Sequence, residues 1–394
     1  MTARSGDTLD YFSRLFEVPY PLVIDSNPHI PDQRLKDGDT VAIPGYVVQP
    51  LTLKSHQTFW SVLTERQLPL DALRVVNPGV PFRKLLSASI IYVPVRVNRI
   101  IVKGKQTYDY LTLMRDIHRL KALYPFMTSR SIGRSVLGKN LTELAVGRGA
   151  RRVHLNASFH AREWITTPIV MTFLNEYLLS LTNGRAIRGI RLPSFYDQQN
   201  LSIVPMVNPD GVDLAIHGAS KAGVFEASVR EINQGERDFS LWKANIRGVD
   251  LNKQFPADWD AEAANAPKQP APSHFPGHEP LSEPEARAMA SLVQTRDFAR
   301  LLMLHTQGKE IYWRFKGEEP PISKEIAMEM TRVSGYQAVE NHGSSAGLKD
   351  WFIETRRRPA FTIEAGKGDH PLPISDFDEM YQEMLGIFLA YLYT

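Results

Sequence analysis

Past residue 97, apolar and polar positions fall into short strand-like runs separated by longer helix-like stretches. Compact apolar runs stand at 142–147, 152–158, 201–207, 300–305 and 359–364, each of strand length. Between them, 166–182 and 282–294 keep a helical period. Ser282-Glu283-Pro284-Glu285 predicts a capping box with proline in the first turn. In "YDYLTLMRDIHRLKALYPF", Leu111, Met114, Ile117 and Leu120 predict the apolar face of a helix, and "SDFDEMYQEMLGIFLAYLY" closes the chain as another. Strands alternating with helices over 97–394 predict an α/β domain, a mostly parallel or mixed sheet covered by helices on both faces.

The first 96 residues repeat themselves. Residues 1–46 and 47–96 align at an offset of 50: Thr8 with Thr58, Asn27-Pro28 with Asn77-Pro78, Leu35 with Leu85, and Ile43-Pro44 with Val93-Pro94. Each unit predicts a short strand, a helix, an Asn-Pro turn, a second helix and a closing strand. Units this small have small cores and marginal stability. The stretches "SGDTLDYFSRLFEVPYPLVIDSNPHI" and "LKDGDTVAIPG" resemble LysM repeats. The second unit is more degenerate, with His56-Gln57-Thr58 where the first has Gly6-Asp7-Thr8. The resemblance implies two small βααβ modules that bind glycan containing N-acetylglucosamine, with Gly6, Asp7, Thr8, Asn27 and Pro28 as its contact residues. A packing or spacer module without sugar is the plainer reading.

Composition narrows the function classes. The 394 residues carry a net charge of +3, spread without a basic cluster, which argues against nucleic acid as a partner. Cysteine is absent, so disulfides and thiolate metal sites are excluded. The start "MTARSGDTLDYF" lacks the apolar core of a signal peptide, and no apolar stretch approaches the roughly 20 residues of a membrane span. A cytoplasmic protein with no membrane partner is the expectation, with wall contact through the repeats. Oligomeric state stays open, a homodimer included. The Pro- and Ala-rich segment 256–280 reads equally as lid, dimer contact or surface.

Ionisable residues gather at predicted strand ends. His160 and Glu163, in "FHAREW", follow the run 152–158; His305 ends "RLLMLH"; Glu364 ends "PAFTIE". Sites in such sheets collect at strand carboxyl ends. Residues three apart share one side of a helical turn, so His160, Glu163 and a distant His305 form a His₂Glu set of the kind that holds one Zn²⁺ and leaves a position for water. A second carboxylate must then move the water's proton, and Glu364 is the candidate. His-x-x-Glu alone is more often a solvated helix face. The convergence of three strand ends sets this one apart.

These residues sit in motifs that resemble the zinc carboxypeptidase (funnelin) family, in the family's order: "HAREW", "NPDG", "LWKANIRGVDLNKQFP", "SEPEARAM", "LHTQG" and "FTIEAG", spanning 102–394. The resemblance implies a carboxypeptidase-like mixed sheet flanked by helices. It implies zinc on His160, Glu163 and His305, Glu364 as general base, and Asp250 orienting His160. Lys243 stands where the family has an oxyanion-stabilising arginine, and Asn252-Lys253 where a carboxypeptidase has Asn-Arg for the terminal carboxylate. Lysine keeps the charge and loses the forked grip. Arg162 matches another anion-binding arginine, and His342 falls near the family's mobile tyrosine. With the repeats and "EAGKGDHPLPI", the whole is similar to bacterial endopeptidases that cut between γ-D-glutamyl and a diamino acid such as meso-diaminopimelate. That likeness implies peptidoglycan or muropeptides as partner, with Arg162, Lys243, Lys253 and Lys367 meeting substrate carboxylates. An ordinary metallocarboxypeptidase removing C-terminal residues is the alternative.

Overall fold

The structure, a computed structural model, describes residues 1–30, 34–82, 87–340 and 345–394. Leu85 and His342 lie outside the described residues. The chain divides into two compact units. The first holds Met1–Ile101 together with 117–128 and 175–193; the second holds 102–116, 129–174 and 194–394. The expected boundary at 97 missed these two later pieces of the first unit. They are tied to the repeats by hydrogen bonds: Gly45 N–H donates to Leu123 O at 2.9 Å, and the Arg96 side-chain Nη1 to Thr182 O at 3.2 Å.

In the first unit the repeats superimpose their bonds at the offset of 50. Helices Leu9–Phe16 and Phe59–Arg66 are capped by Thr8 and Thr58, each accepting from the residue three positions on. Both helices end in a left-handed residue, Glu17 and Gln67, and a proline, Pro19 or Pro69, then opens a second short helix, Tyr20–Asp25 or Leu70–Arg74. The Asn-Pro pair therefore follows the second helix instead of joining the two helices. Asn27 is buried, donates to Val23 O and Ala42 O, and accepts from Ala42 N–H; Asn77 does the same with Leu73 and Tyr92. The strands also differ from expectation. Strands β1 (Tyr46–Thr52) and β2 (Ile90–Arg96) pair antiparallel and flank the second repeat's helices, so that repeat is a complete βααβ. Among the described residues the first repeat closes with the single bridges Thr2–Thr40 and Thr8–Arg34. The second repeat's core is Leu53, Phe59, Val62, Leu73, Ile91 and Val93. Burying each side chain stabilises by about 1.5–3 kcal/mol, against about 1–2 kcal/mol of backbone entropy for every residue ordered.

The second unit is built on an eight-stranded mixed sheet among the described residues. In chain order its strands are β3 (Thr128–Arg134), β4 (Asn140–Val146), β5 (Arg151–Ala157), β6 (Gln199–Val204), β7 (Phe298–His305), β8 (Glu310–Tyr312), β9 (Gln337–Val339) and β10 (Ala360–Glu364). Across the sheet the order is β3-β4-β6-β5-β7-β10-β8-β9. The central strands β6, β5, β7 and β10 run parallel, with β4 and β8 antiparallel to their inner neighbours. The five sequence-predicted strands are β4, β5, β6, β7 and β10, all with buried apolar runs. Strands β3, β8 and β9 escaped because they are polar or only three residues long. After β5 the chain goes to β6 on one side and later to β7 on the other. The gap between β5 and β7 is thus a topological switch point, where ligands bind in open α/β sheets.

Two helix readings need correction. In Tyr110–Leu123 the buried face is Leu113, Ile117 and Leu120, while Leu111 is 71% exposed. Steps of three residues fall about 60° short of a full turn, so nine residues separate Leu111 from Leu120 by about half a turn. The helix Pro284–Thr295 starts with Pro284 at its first position, which makes Glu283 the cap residue and moves Glu285 off the capping-box position. Ser282 Oγ donates instead to Gln254 Oε1 at 3.1 Å, and Glu285 accepts Val136 N–H at 3.0 Å.

Candidate metal centre

Three adjacent parallel strand ends build the centre. Pairing sets Glu364 of β10 opposite His305 of β7, and Ala157 of β5 opposite Leu304. At the end of β5 the backbone breaks from the strand at Ser158, which holds φ 49°. A non-glycine residue there costs about 1–3 kcal/mol and persists only under external constraint. The constraint is the start of the next helix: Ser158 N–H donates to Thr166 Oγ1 at 3.0 Å, and its Oγ lies 2.7 Å from Thr167 Oγ1. The kink buries Phe159 and delivers His160 to the one-turn helix Ala161–Glu163. No sequence signal marked Ser158 for this role.

His160, Glu163 and His305 are all buried, and their ligand atoms converge. His160 Nδ1 lies 2.8 Å from Glu163 Oε1, His305 Nδ1 3.0 Å from Glu163 Oε2, and the two Nδ1 atoms 3.1 Å from each other. Two ring nitrogens and a carboxylate this close suit a shared cation. Tetrahedral zinc bonds of about 2.0–2.1 Å would set such atoms about 3.3–3.4 Å apart. The donor set of two imidazoles and one carboxylate is that of a catalytic zinc site with one position open. His160 Nε2, on the far side of the ring, lies 3.2 Å from Asp250 Oδ1, a carboxylate placed to hold the ring. Asp250 is fully buried, and its other oxygen lies 2.9 Å from Lys243 Nζ. Although burial raises it, the charges of Lys243 and His160 hold the Asp250 carboxyl well below the usual range. Burial likewise opposes the charge on Glu163, and the two histidines outweigh it. Burial pushes the Glu364 carboxyl up to about 7.

A cleft of about 300 Å³ opens onto these groups, walled by His160, Asp250, Glu364, Lys243, Asn252 and Lys253 among others. His274, Tyr312 and Lys349 also line it; His274 and Tyr312 sit in an irregular segment and a three-residue strand with no periodic signal, and Lys349 lies on the helix Leu348–Arg356, outside the motifs read. Its three lysines each carry a carboxylate of the chain: Lys243 with Asp250, Lys253 with Glu262, Lys349 with Asp350. Arg162 makes no ion pair among the described residues, and its buried Nε lacks a hydrogen-bond partner. Lys367 is exposed and does not line the cleft. In the first unit, Gly6 and Pro28 are accessible turn residues, whereas Asp7 accepts from Arg4 N–H at 2.9 Å, Thr8 is a helix cap and Asn27 is buried.

The chain is similar to known proteins. The chain is 49% identical over 390 residues to a gamma-D-glutamyl-L-diamino acid endopeptidase 1 of Lysinibacillus sphaericus, covering 99% of this chain and 98% of that one. It is 41% identical over 290 residues to the uncharacterized protein YqgT of Bacillus subtilis (strain 168), covering 73% of this chain and 77% of the other. Its fold matches bovine thrombin-activatable fibrinolysis inhibitor, solved with a tick carboxypeptidase inhibitor, at a TM-score of 0.59 and 19% identity over 73% of this chain and 97% of that one. The model describing zinc carboxypeptidases matches residues 113–386, which contain the whole converged ligand set, and the chain belongs to that family.

Proposed function

We propose that this zinc metallopeptidase hydrolyses peptidoglycan stem peptides at the bond between γ-D-glutamyl and an L-diamino acid such as meso-diaminopimelate. The observation that carries the chemistry is the convergence of His160, Glu163 and His305 beside Glu364 in one cleft. The substrate class rests on the 49% identical relative, whose name states that bond, and on lysines standing where a terminal carboxylate would call for a forked arginine. When bound, zinc supplies Lewis acidity to the scissile carbonyl and acidifies water. Glu364 takes the attacking water's proton and returns it to the leaving amine. Asp250 keeps His160 aimed at the metal, Lys243 faces the developing oxyanion, and Asn252 and Arg162 meet substrate carboxylates. The repeats hold the glycan strand, raising the local concentration of stem peptide.

Mass analysis of digests tests the reading. A diaminopimelate-type stem tripeptide should release the diamino acid from γ-D-glutamate. The reaction should stop with dipicolinate and resume with Zn²⁺. Release of C-terminal amino acids from a generic Phe- or Lys-ended peptide, with no cut at γ-D-glutamate, would make the protein an ordinary carboxypeptidase. For the repeats, the full-length Glu364→Gln protein should bind N-acetylglucosamine oligomers in calorimetry, and an absence of heat would reject the glycan role.

A further inference from the structure

The segment 256–280 is not idle surface. It folds a short helix, Trp259–Asn265, whose Glu262 reaches the cleft wall. One carboxylate oxygen of Glu262 is ion-paired with Lys253, and the other accepts the backbone N–H of Ser345 at 2.9 Å. Lys253 and Ser345 both line the cleft beside Asp250, which steadies the metal ligand His160. The Glu262 side chain is only 16% exposed and Lys253 11%, so the pair is shielded from solvent and weakly screened. At its N-terminal side the helix is fastened by Asp258, ion-paired with Lys316.

Lys253 is thus a cation on the wall of a peptide-hydrolysing cleft with its attraction already taken by the chain's own carboxylate. A substrate carboxylate arriving there would have to displace Glu262 or sit beside its negative charge. We infer that Glu262 is a specificity-determining residue: by occupying Lys253 it prevents this wall of the cleft from gripping a free substrate carboxylate, and so admits substrates that are extended or amidated at that point. The inference rests on the peptidase reading of the cleft and adds a residue on which that reading does not depend.

The test is the ratio of kcat/KM for two peptides cut at the same bond by the zinc-loaded full-length enzyme, one ending in a free α-carboxylate and the other in the α-carboxamide. Wild type should give a ratio near one. Glu262→Gln removes the carboxylate paired with Lys253 and should raise the ratio by about tenfold or more, mainly through KM. Glu262→Asp should stay near wild type. The double variant Glu262→Gln/Lys253→Gln removes both charges and should return the ratio to within about twofold of wild type. An unchanged ratio in Glu262→Gln, with zinc content and melting temperature preserved, would overturn the inference and leave Glu262 a mere tether. Should Glu262→Gln fail to fold, the double variant decides: a tenfold fall in its ratio would mean that Lys253 grips carboxylates despite Glu262. If the wild type cuts generic C-terminal peptides instead of γ-D-glutamyl bonds, the proposed substrate fails. The same ratio, read on such a peptide and its C-terminal amide, still tests Glu262.

Discussion

The polar residues of the N-terminal repeats and those of the cleft are arranged on opposite principles. In the repeats every matched polar residue closes on its own chain. Asn27 and Asn77 each make three bonds, at 2.7–2.9 Å and 2.7–2.8 Å, and Thr8 and Thr58 cap helices. Where the second repeat departs from the first, the bond survives: Gln57 accepts Lys54 N–H at 3.1 Å, as Asp7 accepts Arg4 N–H at 2.9 Å. In the cleft, like groups crowd together. Two Nδ1 atoms face each other at 3.1 Å, and each also lies within 3.0 Å of a Glu163 carboxylate oxygen. Two ring nitrogens that face each other cannot both present protons there without repulsion, so such a set suits a cation supplied from outside the chain. Repetition in sequence here marks scaffolding, and convergence of like groups marks chemistry.

The largest break in that comparison should come at Glu364. Glu364→Gln keeps the shape and removes the proton carrier, so kcat/KM should fall by about 10²–10⁴ while zinc content and melting temperature stay at wild-type values. Activity within a few-fold of wild type would remove Glu364 from the chemistry. It would also place the converged histidines among structural sites.

Next in size is Asn27→Ala. It strands Val23 O, Ala42 O and Ala42 N–H in a mostly buried setting, and should destabilise the first unit by about 3–4 kcal/mol in urea unfolding. Asn77→Ala should cost a similar amount, because its three bonds are the same. A variant at Asn27 that kept its stability and lost affinity for N-acetylglucosamine oligomers would reverse the contrast, making the repeat's matched residues recognition groups.

What could be read from sequence divides along the same line. The metal centre was legible because its ligands sit at the ends of apolar runs, and strand ends converge by topology: His160 follows β5, and His305 and Glu364 end β7 and β10. The cleft walls were not. Tyr312 sits on a three-residue strand, and Glu262 on a short helix inside a Pro- and Ala-rich segment, where periodicity has nothing to act on. The Asn-Pro pair was legible as punctuation and misplaced by one element, because the asparagine's bonds to a preceding helix and a following strand are tertiary. Glu285 shows the same limit, since the local capping pattern lost to a partner 149 residues away, Val136.

Glu285 is also the case that lies between the two regions. It is fully partnered, by Val136 N–H at 3.0 Å and by Asn245 Nδ2 at 3.5 Å, yet burial pushes its carboxyl up from 4.5 to about 7, with Asp210 and Glu283 adding to the rise. A folded state that holds this proton more tightly than the unfolded chain gains stability from it below pH 4.5, and loses that gain as pH rises toward 7. The separation corresponds to at most about 3 kcal/mol. Glu285→Gln has no proton to lose, so its stability relative to wild type should climb by about 2–3 kcal/mol between pH 4.5 and 7 in urea titrations. His154, fully buried and lowered by that burial from 6.5 to about 4, works the other way, costing stability as pH falls from 6.5 toward 4. It is present in both proteins and cancels from the difference. A flat difference across that range would mean that Glu285's hydrogen bonds outweigh its burial, which would move it to the side of the closed polar sets in the repeats.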